Sequence, residues 1–433
     1  MMSQQSVFTS EDGALLTKGE QAQRVVTNIL NDAITKGTSD IHFQPQEHTT
    51  IVKFRIDGVL YKQELFELPI TEEAQIVSIV KIKAGMKTEE RRKQQDGRFS
   101  HSIETKKELL TYDIRVSCIP VCRQFDKSQR QSLVLRILDK KRIQVKLDEL
   151  GFLPDTKIRL EKIIHRKEGL FLSTGPAGSG KTTTLYVLLQ MINTNDTHIL
   201  TIEDPVEYTI DGFDQIAASE HMPFKTALRS FMRHDPNVIM VGEMRDQDTA
   251  QIAAEAAMTG HMVISSLHTN NAVATISRLL ELNVTKSMIA DTLNGVLAQR
   301  LARKICPDCK IKASVKLINL MNCFQMHEDE VQKCLEYAEV ATENDNVTVW
   351  CPRQGGCKTC RNTSYLGRTG IHELLMLDDA IADLIRTNVN IHEIRKAAIQ
   401  RGNMLRSMTA DGLIKMVKGE TSPQELARIL ADS

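Results

Sequence analysis

The chain has 433 residues, with 55 basic and 55 acidic side chains and a formal net charge of zero. A neutral chain is poorly suited to coating nucleic acid or anionic lipid, so no specific nucleic acid partner is expected, and no apolar run approaches the roughly 20 residues that a membrane span needs. Nine cysteines over this length do not read as a disulfide framework; they point to a reducing compartment, where grouped cysteines bind metal and scattered ones are small core residues.

Taken in chain order, residues 1–20 form a polar segment without the basic start and apolar centre of a secretory signal. The cytoplasm is the expected location, with any membrane contact peripheral and made through a partner. Residues 21–138 predict a small α+β domain. It opens on a helix over 21–36, where Val25, Val26, Ile29, Leu30 and Ala33 make an apolar stripe and Gly37 is a stop. Alternating residues over 50–56, then the turn Asp57-Gly58, predict a hairpin, and further strands are expected at 113–120 and 132–138. Residues 139–155 are a charged linker. From 156 to 305 short apolar runs at 169–173, 198–202, 238–241 and 262–266 alternate with helical stretches. That pattern predicts an α/β domain with a parallel sheet covered on both faces. An insertion framed by cysteine pairs follows over 306–366, and 367–433 reads as a helical tail broken at Gly402, Gly412 and Gly419.

The run Gly175, Pro176, Ala177, Gly178, Ser179, Gly180, Lys181, Thr182 has the spacing of a phosphate loop, and Thr183 continues into the helix behind it. An apolar strand precedes it. Glycines let the backbone curl so that several N–H groups face one phosphate, and the helix N-terminus adds partial positive charge. Lys181 would reach the β- and γ-phosphates of ATP, and the Thr182 hydroxyl would ligate Mg²⁺. The plain alternative is a glycine-rich turn with a surface lysine. Hydrolysis further needs a carboxylate that orients water. Glu243, just past the apolar run 238–241, stands where open α/β sheets place their ligands; the competing reading is a solvated loop charge. Gly242 takes the place where many ATPases carry a magnesium-binding aspartate. Glu203, Asp204 and Glu207 follow another buried run and are spaced to converge on a cation, or to stand apart as a solvated loop.

His261 and His268 bracket the run 262–267, and His268 at its carboxyl end is the better candidate for sensing a γ-phosphate. Arg229 and Arg233 are four apart, so on a helix they share a face, functional or merely solvated. Arg55, Arg98 and Arg115 lie near turns or on strands of the first domain. Cys306-Pro-Asp-Cys309 and Cys357-Lys-Thr-Cys360 are two knuckles, each able to give two thiolates to one tetrahedral Zn²⁺. The long gap between them requires an insertion that loops out. Cys351 competes for a ligand position, and a redox pair is the alternative chemistry.

These motifs in this order resemble the type II secretion and type IV pilus assembly ATPases, within the secretion-system hexameric motors. The resemblance rests on residues 39–43 (Ser-Asp-Ile-His-Phe), 202–207 (Ile-Glu-Asp-Pro-Val-Glu), 241–246 (Val-Gly-Glu-Met-Arg-Asp), 266–270 (Ser-Leu-His-Thr-Asn), Thr259-Gly-His261 and 367–373 (Gly-Arg-Thr-Gly-Ile-His-Glu). It implies a homo-hexamer with a PAS-like N-terminal domain and a RecA-like ATPase domain, ATP lying between them. It implies that Arg98 and Arg115 swing toward the γ-phosphate, that Arg229 and Arg233 lie near the acidic box, that Glu243 orients water and that His268 senses phosphate. The implied partner is an inner-membrane platform protein that adds pilin subunits to a filament at the cytoplasmic face. Full-length members often carry a further N-terminal domain, whereas about 20 residues precede the first expected helix here. Retraction motors of the family usually lack the four-cysteine insertion, which favours assembly or secretion. Pilus retraction or DNA transport, and a nucleotide-binding scaffold that does not hydrolyse, are the competing functions.

Overall fold

The computed structural model describes residues 17–104, 108–123, 126–138, 145–387 and 390–431. Most of the expected polar segment 1–20, and 139–144 of the linker, lie outside the described residues. Two compact units divide the chain, Met1–Lys141 and Arg142–Ser433.

In the first unit, helix α1 (Lys18–Thr35) starts at a capping box in which Thr17 and Glu20 satisfy each other's backbone N–H. Lys18 to Glu20, expected within the polar segment, are thus already helical. Then come β1 (Asp40–Pro45), β2 (Thr49–Ile56), β3 (Val59–Lys62), β4 (Leu68–Pro69), α2 (Ile70–Lys83), β5 (Gln95–Glu104), β6 (Leu109–Arg123) and β7 (Asp126–Leu138). The sheet runs β3-β2-β1-β7-β6-β5, with β4 beside β2, and its pairs are antiparallel. Alternation decides its faces. Ile41, Phe43, Val52, Phe54, Ile114, Val116, Leu133 and Leu135 share a buried cluster with Val26, Ile29 and Leu30 of α1 and Ile76 and Val80 of α2. Helix α2 was not expected from the sequence, because exposed Ile70 and Ile82 blur its apolar stripe.

The second unit contains α3 (Pro154–Ile164), β8 (Gly169–Thr174), α4 (Lys181–Ile192), β9 (Ile199–Glu203), β10 (Phe213–Ala217), α5 (Phe224–Phe231), β11 (Val238–Val241), α6 (Gln247–Met258) and β12 (Met262–Leu267). It continues with α7 (Ala274–Glu281), α8 (Lys286–Thr292), β13 (Leu293–Ile305), β14 (Ile311–Lys316), α9 (Leu317–Phe324), α10 (Glu328–Ala338), β15 (Asn346–Cys351) and β16 (Tyr365–Met376). Four helices close it: α11 (Asp379–Thr387), α12 (Ile391–Gln400), α13 (Met408–Val417) and α14 (Pro423–Leu430). The main sheet is ordered β10-β9-β11-β12-β8-β13-β16. Pairing is parallel from β10 to β13, and β16 returns antiparallel along β13. Both faces are covered, as the apolar runs foretell. Leu170, Leu172, Ile202, Ile239, Val241 and Val263 face one core, and their neighbours Phe171, Ile199, Met240 and Ile264 face the other.

Three expectations are corrected. Residues 367–376 are not part of a helical tail: they belong to β16, the seventh strand. Gly412 does not break a helix, since it lies inside α13, where a Cβ would overlap the fully buried Leu426 of α14. Gly402 and Gly419 do end α12 and α13, with φ of 76° at each. The insertion does not simply loop out. Leu320, Val331, Leu335, Val347 and Val349 share one core with Leu413, Ile414, Met416 and Leu426, so insertion and C-terminal helices are a single packed layer.

The α13–α14 contact makes a simple prediction. Gly412→Val should destabilise the protein by about 1–3 kcal/mol through overpacking, seen as a lower midpoint in urea unfolding; an unchanged midpoint would mean that α14 yields freely.

Candidate functional site

Four adjacent parallel strands, β9, β11, β12 and β8, end at the same edge of the sheet. Their carboxyl ends carry Glu203, Glu243, His268 and the loop from Gly175. Brought together from distant stretches of sequence, these groups form one site, because parallel strands deliver their carboxyl ends side by side.

The loop has the backbone that its glycines allow. Gly175, Gly178 and Gly180 have φ of 149°, 75° and 91°, values that side chains disfavour. A Cβ at Gly175 would stand 2.5 Å from the Gln299 carbonyl and 2.6 Å from Ser179 Oγ, so the loop closes only with glycine there. Gln299 of β13 donates to the Ser179 carbonyl at 2.8 Å, and Ser179 Oγ is buried with no hydrogen-bond partner among the described residues. Lys181 is 9% exposed, and its Nζ donates to the carbonyls of Gly175 at 2.8 Å and Pro176 at 3.1 Å. Burial pushes the Lys181 ammonium down to about 8, Glu243 partly restoring it and Arg300 lowering it further. An ammonium held by two carbonyls at a helix N-terminus, over a cradle of backbone, fits a phosphate group. Thr182 and Thr183 open α4, with the Thr182 side chain exposed where a Mg²⁺ ligand is expected.

Glu243 pairs with Arg245, and its other oxygen lies 3.7 Å from His268 Nε2. Arg245 also lies 3.9 Å from Asp204. Burial lowers the His268 imidazole below its ordinary range, the Lys181 charge adds to this, and Glu243 and the Gly175 backbone oppose it. The balance favours the uncharged imidazole, and His268 is linked to both loop and carboxylate. Gly242 sits close against β9, since a Cβ there would be 3.3 Å from the Ile202 carbonyl and 3.4 Å from Glu203 Cα. A side chain there would need β9 to give way by a few tenths of an ångström.

Other candidates are placed differently. Glu203 is 3% exposed; it accepts from Tyr186, from Thr201 Oγ1 at 2.7 Å and from Gln215 Nε2 at 3.2 Å. The expected convergence of Glu203, Asp204 and Glu207 is not formed: among the described residues, the cysteines alone gather three or more His, Cys, Asp or Glu ligand atoms within 4.8 Å. Arg229 is on α5, but Arg233 lies past the helix end and donates back to the Arg229 carbonyl at 3.0 Å. His261 is at the far end of β12 and bonds the Ala256 carbonyl at 3.0 Å, a structural place. In the first unit, Arg98 pairs with Arg115, Arg115 with Arg136, Arg136 with Asp40 and Asp40 with Arg55. Directly paired residues share a face, so four arginines form a row held by Asp40, which lies 3.1 Å from Arg136 Nε and 3.4 Å from Arg55 Nε. Sequence reasoning missed Arg136, Gln299 and Thr174. Only strand register places Arg136 in the row, and Gln299 lies in a segment that no local pattern singles out.

Cys306, Cys309, Cys357 and Cys360 place all four Sγ atoms within 4.8 Å of one another. The 306–357 and 309–360 spacings are both 3.8 Å, and 357–360 is 3.7 Å. Zinc–sulfur bonds of about 2.3 Å in a regular tetrahedron require sulfur spacings of about 3.8 Å. The backbone N–H groups of Cys357 and Ser364 donate to Cys360 Sγ at 3.1 and 3.2 Å. This cluster fits Zn²⁺, and Cys351, paired with Ile311 in the β14–β15 ribbon, is not a member of it.

The fold is shared with a solved structure, that of the Legionella pneumophila ATPase DotB, which matches with a TM-score of 0.66 over 95% of each chain, at 22% identity. The chain belongs to the family described as Type II/IV secretion system protein, whose model matches residues 16–428. It is 37% identical over 431 residues to the Type II secretion system ATPase E of Vibrio cholerae, covering 99% of this chain and 78% of that protein. It is 38% identical over 426 residues to the Type IV pilus assembly ATPase PilB of Pseudomonas aeruginosa, covering 98% and 70%. Among the described residues no helix is long and apolar enough to cross a membrane.

The Lys181 environment predicts a pH dependence. Phosphate oxygens favour the charged ammonium, so ATP affinity is flat below pH 8. Above it, affinity falls by about tenfold per pH unit as the free lysine loses its proton. In Lys181→Arg, which stays charged, that fall is absent. Equilibrium titration with a fluorescent ATP analogue between pH 6.5 and 9.5 measures both.

Proposed function

We propose that this chain is a motor ATPase that couples ATP hydrolysis to subunit assembly in a type II secretion or type IV pilus system. The observation that carries the proposal is the alignment of Lys181, His268 and Glu243 on neighbouring strand ends. Phosphoryl transfer to water needs positioning and charge compensation more than covalent chemistry. Lys181, the loop amides and the α4 N-terminus hold the phosphates. Thr182 and a carboxylate of the acidic box would hold Mg²⁺, which would supply further positive charge to the phosphate oxygens. Glu243 orients the attacking water once Arg245 releases it, and His268 donates to the γ-phosphate. We assign Arg98 and Arg115, in one row with Arg136, to neutralising charge on the transferred phosphoryl group. Arg229 and Arg233 stabilise the acidic-box side.

In this reading the first unit is the PAS-like domain and the second the RecA-like domain with its zinc subdomain. The protein works as a homo-hexamer at the cytoplasmic face of the inner membrane, bound to a platform protein. The cysteine cluster supports the assembly or secretion role over retraction.

Two experiments test this. Glu243→Gln should abolish turnover, by more than roughly 100-fold, while ATP binding survives; turnover near the wild-type rate would overturn the motor reading, and loss of binding would move Glu243 to a structural role. Purified protein should contain one zinc per chain by elemental analysis, lost in the Cys306→Ser, Cys309→Ser double variant together with the stability of the insertion core. Unchanged zinc content would remove these thiolates from the site.

A further inference from the structure

The segment after β12 carries His268 and is fastened at three points. The Thr269 N–H donates to Thr174 Oγ1 at 2.8 Å. Arg300 Nη2 donates to the Asn270 carbonyl at 3.2 Å. The Ala272 N–H donates to Glu373 Oε1 at 2.9 Å. Strand register explains the arrangement. Thr174 of β8 is opposite Ala298 of β13, and Ala298 is opposite Glu373 of β16. The three share one face at one level of the sheet, with only a methyl group between the two polar residues. The loop crosses the sheet from Thr174 to Glu373, over the small residue.

Glu373 is 1% exposed. A buried carboxylate persists only when donors surround it. Its second oxygen accepts from Arg395 of α12 at 2.9 Å and from the Met408 N–H at 3.3 Å. Met408 is the first residue of α13, so Glu373 satisfies one of the amides that a helix N-terminus leaves open. One side chain on β16 thus ties the His268 loop to two C-terminal helices. None of the functions assigned above uses it.

We propose that Glu373 is a positioning residue for His268, coupling the placement of α12 and α13 to the height of the His268 loop beside the phosphate loop. A shift of the C-terminal helices is passed to the Ala272 amide and on to His268, four residues away on a segment anchored at its other end by Thr174. The chemistry requires an acceptor on both oxygens. In Glu373→Gln one oxygen becomes an NH₂ donor, so either the Ala272 amide or the Arg395 and Met408 donors lose their partner.

This inference rests on the reading of His268 as the group that faces the γ-phosphate, and the test separates the two. Steady-state ATPase is measured on the full chain as wild type, Glu373→Gln, His268→Ala and the double variant, with hydrogen–deuterium exchange over residues 268–272 and 175–184. Glu373→Gln should lower kcat roughly tenfold or more through misplacement of the loop, with KM for ATP within about twofold and faster exchange at Ala272 but not in the phosphate loop. In the His268→Ala background the same substitution should cost less than about twofold, because the two act through one group. A full, independent loss in that background, an unchanged kcat, or unaltered exchange at Ala272 overturns the proposal. His268→Ala with normal turnover overturns the His268 reading instead. If Glu373→Gln proves unfolded by thermal melt, Arg395→Gln, at the 31% exposed end of the same ion pair, carries the same expectation, and Arg395→Lys should restore turnover.

Discussion

Parallel pairing of β9, β11, β12 and β8 is the constraint on which the rest of the molecule depends. Each strand contributes one group from its carboxyl end, and none of those groups could reach the others if a single strand were reversed or displaced by one position. The strands are buried on both faces, which leaves their ends little freedom to drift. The edge of the sheet is therefore rigid, while the groups on it have alternative partners: Lys181 bonds two carbonyls that a phosphate can replace, and Glu243 is held by an exposed arginine. Preorganised backbone with exchangeable polar contacts suits a site that binds, reacts and releases.

Beyond the reactive edge, β13 and β16 extend the sheet and support a C-terminal layer held by buried charge. Burial by itself would raise the Glu425 carboxyl, but hydrogen bonds from Arg428 and Arg303 prevail and hold it at about 2. Arg303 in turn stacks 4.0 Å above the Tyr365 ring, and Tyr365 bonds Ser422 at 2.8 Å. Lys415 donates to the Gly370 carbonyl at 2.6 Å and pairs with Asp411, under His372 stacked on Phe152. Arg406 pairs with Asp155 at the start of α3 and lies over Tyr337 of the insertion. Paired buried charges are weak sources of net stability but costly to break singly. They fix which helix sits against which strand. The cysteine cluster lies at the ends of the insertion beside this layer, so insertion and C-terminal helices are one packed piece, tied to the strand ends through Glu373.

Reading residues in order recovered the groups whose chemistry depends on close spacing. The glycine-rich loop, both cysteine knuckles, the apolar runs of β8, β9, β11 and β12, and the place of Glu243 just past a strand end are all local patterns, and the backbone follows local rules at each. Periodicity failed where an element's surroundings overrode it. Strand β13 stands outside the apolar runs that the sequence singles out, because it is buried along nearly its whole length and no alternation marks it as a strand. Strand β16 was lost in a tail whose glycines suggested helix ends. Gly412 was misread as a breaker because its reason is a neighbour, Leu426, and not the turn chemistry of its own segment. The acidic box shows the same limit: spacing allowed three carboxylates to converge, yet Tyr186, Thr201 and Gln215 claim Glu203.

The amino-acid sequence by itself determined the kind of chemistry, because backbone curl at glycines, thiolate pairs two residues apart and a carboxylate after a buried run are properties of short segments. Only the tertiary structure decided which distant residues stand together. Arg136 joins Arg98 and Arg115 through antiparallel register, Gln299 braces the phosphate loop from the next strand, and Glu373 reaches the His268 loop across Ala298. Each of these depends on strand order and pairing level, which are set by packing over the whole domain and leave no mark at the residue itself.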